Sequence, residues 1–272
     1  TYDFTWTANI NWTRVRNEVK SLIGGTQNIV IGSFQGGVTL NAAVGEPFGT
    51  LRGNDFVYDE KTGRPIVGDD GYYQVSQSTN IIIGNINPDW IGGINNSFNY
   101  KNLSLSFLID GRQGGSIYSI DQWYGQGTGL YEAQSGLNDL GNPIRNSLAE
   151  GGGVVFPGVL EDGTENTQRV ILTGLRGYGY NNFPNKSVVY DASYIKLREL
   201  NLTWSVPSRI SERLAPVKGI DLSLFGRNLW IIHKNLPDAD PEDTPSSGNV
   251  QGFQVGTYPL YRTYGFNLRF KF

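Results

Sequence analysis

Cysteine and methionine are absent from the 272-residue chain, and histidine occurs once, at position 233. Without cysteine there is no disulfide framework and no thiolate metal site, and one imidazole cannot make a multi-histidine metal cluster. Charge is sparse too. Asp, Glu, Lys and Arg make up 17% of the residues, the formal net charge is −3, and no long basic tract offers nucleic acid an electrostatic footprint. No window of about 18 consecutive apolar residues is present, which excludes a transmembrane helix, and no secretory signal pattern opens the chain. A chain beginning at Thr1 without an initiator is expected to be part of a longer or processed protein.

What is present points to β-structure. Gly 36, Tyr 15, Phe 13 and Trp 6, with 38% hydrophobic residues overall, favour an all-β protein rich in turns and aromatics over a disordered or a charged helical one. The period is two wherever it is clear. Tyr2, Phe4, Trp6, Ala8, Ile10 and Trp12 alternate with Asp3, Thr5, Thr7, Asn9, Asn11 and Thr13. The pattern returns in Val38, Leu40, Ala42 and Val44, in Leu103, Leu105, Phe107 and Ile109, and in Ile220, Leu222 and Leu224. It closes the chain in Tyr264, Phe266, Leu268, Phe270 and Phe272. A soluble sandwich also alternates, but over strands of about 5 or 6 residues. Several runs here hold for about ten or more, the length a tilted strand needs to cross a bilayer. Aromatics at Trp12, Trp90, Trp204, Trp230 and Tyr264 stand near strand ends, where an interfacial girdle belongs.

Seven strands are expected, over 2–15, 37–50, 89–100, 102–112, 190–206, 219–232 and 259–272. The turn at Lys101 and the link from Pro207 to Lys218 are short, whereas 51–88, 113–189 and 233–258 are long and rich in Gly, Asn, Asp and Pro. Short turns on one side and long loops on the other are what outer-membrane barrels show. The link 16–36 is longer than this scheme wants. In the fifth strand Ile195 and Leu197 lie in one phase, and Leu200, Leu202, Trp204 and Val206 in the other. A β-bulge near Arg198, or an upper half rising above the bilayer, accounts for the switch.

Several runs, taken in order, resemble one family. They are Asp191-Ala-Ser-Tyr-Ile-Lys-Leu-Arg-Glu-Leu200, Val206-Pro207, Leu224-Phe-Gly-Arg-Asn-Leu-Trp230, Asp240-Pro-Glu242 and Pro259-Leu-Tyr-Arg-Thr263, with Asn85–Ile94, Asn96–Lys101 and Asp3–Trp6 upstream. Together they resemble the C-terminal end of SusC/RagA-type TonB-dependent transporters, across nearly the whole chain. The resemblance implies an antiparallel transmembrane β-barrel of about 22 strands, of which residues 1–272 would be the C-terminal portion. It also implies an N-terminal plug and a TonB-coupling motif, neither of which this chain contains, a SusD-like surface lipoprotein as lid, and residence in the outer membrane of a Gram-negative, Bacteroidetes-type cell. The expected partners are the remainder of the same barrel and plug, the lipoprotein, the TonB complex through the missing part, and outer-membrane lipid.

The same resemblance makes Phe270 and Phe272 the barrel-assembly signal; otherwise they are simply the last lipid-facing residues. No cofactor is expected, and no enzyme. Gly151-Gly152-Gly153 lacks the Lys-Ser/Thr of a phosphate loop. Asp69-Asp70-Gly71 and Glu161-Asp162-Gly163 read as turns before catalytic carboxylates. The acidic run Asp238-Ala-Asp240-Pro-Glu242-Asp243 lacks the spacing of a calcium loop and reads as a solvated tip. His233 reads as a solvated imidazole. The loop from Gln113 to Val189 carries Trp123, Tyr124, Tyr131, Tyr178, Tyr180 and Phe183, which either pack the loop or meet a ligand or lid. Arg227, Asn228 and Arg269 are expected to line the transport path. Import of a large nutrient, oligosaccharide or oligopeptide, and partner binding by a passive adhesion or secretion-linked barrel remain as two readings. A soluble β-sandwich lectin is a third.

Overall fold

A computed structural model describes residues 3–172, 183–211, 213, 216–245, 248–258 and 260–272; Tyr2, Tyr178, Tyr180 and Pro259 of the expectations above lie outside them. Along the chain run β1 (Phe4–Thr13), β2 (Asn28–Ser33), β3 (Thr39–Ala43), β4 (Thr50–Gly53), β5 (Ile81–Asn85), β6 (Trp90–Tyr100) and β7 (Leu103–Gln113). Then come β8 (Ser116–Ser119), helix α1 (Ile120–Thr128), β9 (Val154–Val155), β10 (Arg169–Val170), β11 (Val189–Asp191) and β12 (Tyr194–Ser205). β13 (Gly219–Lys234), β14 (Phe253–Gln254) and β15 (Thr263–Lys271) complete the order.

Six of these strands form one antiparallel sheet in the order β1-β6-β7-β12-β13-β15. All six are long: β1 has 10 residues, β7 has 11 and β13 has 16. Lys101-Asn102 joins β6 to β7 in a two-residue hairpin, with Lys101 at φ 51°, the sign such a turn needs at its first position. The short connection 206–218 lies at the same end of the sheet, and so does the end of the chain, because Lys271 pairs with Gly219. The segments 14–89, 114–193 and 235–262 all leave from the opposite end.

One expected strand is different. The span 37–50 is β3, a turn, and the first residue of β4, in a separate sheet of order β2-β3-β4-β5. Its period-two pattern is that of a membrane strand, but Leu40, Asn41, Ala42 and Ala43 are buried in succession. Gly45 (φ 84°) and Gly49 (φ 90°) turn the chain around Pro47, which has no N–H for a ladder. With this strand removed the overlong 16–36 link disappears into a single long-side excursion, and β1 runs opposite to the direction that seven strands would require. The three wide connections then alternate strictly with the narrow ones.

The apolar residues of the six strands fall in register across the sheet. Trp6, Phe98, Leu105, Leu202, Leu224 and Phe266 make one row, and Phe4, Tyr100, Leu103, Trp204, Leu222 and Leu268 the next. These side chains are not covered: Trp6 is 60% exposed and Phe266 74%. Among the described residues the only buried hydrophobic side chain contributed by the six strands is Tyr194. Covering each large apolar side chain gains about 1.5–3 kcal/mol, so a cover for this face is worth tens of kcal/mol. A bilayer supplies that cover at these strand lengths, and a soluble lectin would leave a far larger apolar patch bare than soluble monomers carry.

The conventional cores sit in the long connections. Val38, Leu40, Leu51, Ile83, Tyr118, Ile120, Trp123 and Val188 form one cluster, joining the four-stranded sheet to β8 and α1. Phe156, Val170, Leu172 and Phe183 belong to a second. Helix α1 starts where Ser119 Oγ accepts the Gln122 amide (3.1 Å) and stops at Gly129 in the left-handed region. These segments are therefore folded layers over the sheet's end, with their own buried interiors.

Candidate functional site

The sheet face opposite the lipid rows is polar. Thr5, Asn99, Ser104, Thr203, Ser223 and Asn267 stand in one register row. Ser104 donates to Asn99 Oδ1 (2.6 Å), and the Thr203 and Ser223 hydroxyls lie 2.9 Å apart. Toward the short-turn end Asp221 accepts from Ser205 (2.9 Å) and pairs with Lys271 (2.8 Å). Arg227 meets Glu199 at 3.4 Å, and Arg269 is registered against Asp221, so both stand on this polar face. Asn228 takes φ 50° at an irregularity in β13 and its amide donates to Tyr261 O (3.4 Å).

The phase switch in β12 is a bulge. Leu197 and Glu199 face Ile109 and Leu108 on β7, so two steps on β12 oppose one on its neighbour. On β13 the same two residues face Trp230 and Arg227, three steps apart. Arg198 is the residue left over, and the bulge puts its side chain with that of Lys196 on the polar side. There they grip the connection from β13 to β15. Lys196 Nζ bonds both carboxylate oxygens of Asp240, one at 2.6 Å, and Glu242 Oε2 at 2.5 Å. Arg198 donates to Asp110 Oδ1 (2.8 Å) and to Glu242 (2.6 Å), and Tyr194 OH donates to Glu242 Oε1 (2.9 Å). Lys234 Nζ closes the stem on Ala239 O (2.7 Å).

This corrects the reading of the acidic run as a solvated tip. The side chain of Lys196 is 4% exposed and that of Asp240 11%, and Asp243 is buried. Burial opposes ionisation of Glu242, but the hydrogen bonds from Lys196 and Arg198 outweigh it and hold the carboxyl below its ordinary range. Asp243 moves the other way, raised by burial and by the neighbouring charge of Asp240. Among the described residues no group of three His, Asp or Glu side chains is arranged to hold a metal ion. The signal was in the sequence: two cations two residues apart inside a strand need buried anions, and the one dense acidic run is their match.

The loop residues singled out earlier take definite places. Trp123 lies on α1, 7% exposed, with its ring 6.4 Å from that of Tyr118. Tyr124 OH accepts from the Gln35 amide, and Tyr131 OH donates to Asp121 O (3.3 Å). The Tyr131 ring occupies the space where Gly125 would carry a Cβ. Phe183 is buried 5.0 Å from the Phe156 ring. Asp162 accepts from the Thr164 amide (2.9 Å) in a turn ending at Gly163 (φ 85°), and Gly71 (φ 80°) serves the matching hairpin. Gly151 and Gly153 are turn glycines with φ 73° and 78°. His233 is exposed, within β13. Phe270 and Phe272 are 47% and 73% exposed, Phe270 paired with Ile220 at the short-turn end.

No family model matches the chain. Among curated proteins it is 26% identical to TonB-dependent receptor P3 of Formosa agariphila, over 99% of its own length, and 24% identical to TonB-dependent receptor P26 of the same organism, over 100%. It spans only 27% and 28% of those two proteins. Among solved structures it superposes on the RagAB peptide importer in the closed-closed state with a TM-score of 0.64 at 18% identity, covering 99% of this chain and 28% of that one. The open-open state gives 0.64 and 18%, over 100% and 27%. The chain is similar along its whole length to TonB-dependent receptors, as the order of its motifs implied. Its open six-stranded wall has the fold of a SusC/RagA-like barrel portion.

Proposed function

We propose that this chain is the C-terminal wall of an outer-membrane, TonB-dependent importer of a large nutrient, an oligosaccharide or oligopeptide. The carrying observation is the two-faced sheet: a continuous apolar face at bilayer strand lengths, backed by hydroxyls, amides and spaced charges. Six strands leave two unpaired edges, at β1 and β15, and unsatisfied backbone at bilayer depth costs several kcal/mol per group. Those edges therefore pair with further strands of the same barrel, and a plug with its coupling motif belongs to that remainder. The likeness to TonB-dependent receptors along the chain supports the energised mode of transport, and the likeness to the RagAB peptide importer supports a large nutrient as cargo; in this reading a SusD-like lipoprotein rests on the loop-side layers around α1. In this reading Arg227, Asn228 and Arg269 border the path. Trp123, Tyr124 and Tyr131 stiffen the layer on which the lid rests, and Phe270 and Phe272 mark the last strand for assembly.

The test is isolation of the polypeptide from native outer membranes in mild detergent, identification of every chain that remains with it, and comparison of uptake with and without a working TonB complex. A plug-bearing segment, a surface lipoprotein and TonB-dependent uptake are expected. A barrel without a plug, indifferent to TonB, would return the adhesion or secretion-linked reading to first place.

A further inference from the structure

The loop-side end of the polar face holds a cation that the fold leaves without a counter-charge. Asp110 accepts from Arg198 on that face, and Arg112, two residues further along β7, stands on the same side, opposite Tyr194 on β12. Neither β7 nor β12 is an edge strand, so the place does not depend on the open edges at β1 and β15. Arg112 is half-buried. Its Nε donates to Gly114 O (3.2 Å) and its Nη2 to Ile86 O (2.6 Å), and Gly115, at φ 82°, is a glycine where a Cβ would fall on the guanidinium. These contacts fix the plane of the group but bring no charge. Among the described residues Arg112 forms no ion pair, whereas Arg198 on the next strand has two. Glu242, close by, is already engaged by Lys196, Arg198 and Tyr194.

A recess of about 260 Å³ opens beside the guanidinium, between Arg112 and Tyr194 of the wall, Ser116 and Ile117 of β8, and Pro241 and Glu242 of the connection from β13 to β15. Nη1 of Arg112 makes no hydrogen bond to the described residues, so the outer end of the fork, Nη1 with the second hydrogen of Nη2, is left for a ligand. Two parallel N–H groups are the pattern that a carboxylate fills with both oxygens. A dianion fits less well, because one uncompensated positive charge stands there and the Glu242 carboxylate lines the same recess. Ile117, Pro241 and the Tyr194 ring offer an apolar wall to the carbon skeleton behind the carboxylate.

We propose that Arg112 is the seat of a carboxylate on imported cargo, held end-on in this recess. The proposal rests on the importer reading and narrows the cargo to one that bears a carboxylate, on a sugar acid or on a peptide.

The test uses the intact importer in detergent, titrated by saturation-transfer NMR with galacturonate and N-acetylalanine and with their uncharged counterparts, galactose and N-acetylalanine amide. The acids are expected to bind at least about tenfold more tightly than the neutral molecules, and the tighter acid identifies the source of the carboxylate. Arg112→Met should weaken the acids about tenfold to a hundredfold, the contribution of a charge-assisted pair, and Arg112→Lys should restore only part of that, since an ammonium keeps the charge without the fork. Because Arg112 also braces two carbonyls, a second variant leaves it in place: Gln251→Trp, at an exposed position bordering the recess, fills the space and should abolish binding with the guanidinium intact. Equal binding of acids and neutral molecules, or acid binding that neither Arg112→Met nor Gln251→Trp moves, would overturn the seat. Silence from all four probes would overturn it too, and would mean that the remainder of the barrel or the plug fills the recess. Failure of the importer reading shows separately, as uptake that ignores TonB whatever the binding results.

Discussion

Replacing Lys196 by Met tests whether the bulged strand holds down the β13–β15 connection. In the folded chain two cations, Lys196 and Arg198, face three carboxylates, Asp110, Asp240 and Glu242. Without Lys196, Asp240 loses its only charged partner among the described residues, and Arg198 must serve both Asp110 and Glu242. Removing one member of a buried pair costs about 3–5 kcal/mol. The Glu242 side chain is 29% exposed and can recover some hydration, which sets the expectation at the lower end, about 3 kcal/mol. That is about a hundredfold in the opening equilibrium of the connection. Amide exchange of residues 238–244 in the intact barrel reports it, since the Glu242 amide is itself bonded to Asp240 Oδ1 (3.0 Å). Exchange there should accelerate about a hundredfold while β7 and β12 keep their protection. The double variant Lys196→Met, Asp240→Leu should recover part of the loss, because no buried charge is then stranded. Acceleration below about threefold, or equal loosening of the sheet strands, would refute the idea of a discrete latch.

Acid should loosen the same latch in a defined window. The Glu242 carboxyl is depressed in the fold relative to its ordinary 4.5, so its contribution is complete above that value and is lost as pH falls through the lower folded one; exchange of 238–244 should be flat from neutral pH to about 5, after correction for intrinsic rates, and rise only below the ordinary carboxylate range. The two faces of β7 predict opposite tolerances. Phe107→Arg, mid-strand on the lipid face, should cost about 2–4 kcal/mol in folding titrations in lipid, and Ser106→Arg, on the polar face, under about 1 kcal/mol. Equal costs would contradict the assigned faces. Removing Phe272 should lower the yield of assembled barrel in the outer membrane several-fold without altering exchange in β12 or β13; an unchanged yield would reduce it to one more lipid-facing ring.

The lipid face was legible because a bilayer tests every second residue for greasiness. Alternation over Phe4–Trp12, Leu103–Ile109 and Tyr264–Phe272 survived into three sheet strands almost unchanged. The same criterion misplaced 37–50, since Val38, Leu40, Ala42 and Val44 have the same period in an ordinary buried sheet; Gly45, Pro47 and Gly49 were the local objection. The bulge at Arg198 was visible as a change of phase, though only the density of the acidic run hinted at its partner. Asp240 and Glu242 lie more than forty residues from the cations they meet, and nothing periodic announces a contact of that span. The loop cores were the least readable part. Their strands are as short as two residues, and their aromatics obey packing on several sides at once instead of one repeating direction.

The leftover residue at Arg198 also fixes which length changes the wall can absorb. Between the same two rungs β7 takes one step, β12 two and β13 three. Loss of one residue at position 198 would restore unbroken alternation in β12, leaving Ile195 and Leu197 above and Leu200, Leu202 and Trp204 below still turned to lipid. The latch would lose the Arg198 bonds to Asp110 and Glu242 and keep those of Lys196, and the frame would hold. Loss of one residue between 200 and 204 would instead turn the strand's lower end over, sending tryptophan into the water path and a threonine into hydrocarbon. The bulge is thus the strand's single slack link, and insertions or deletions elsewhere along it carry the penalty of inverting a face.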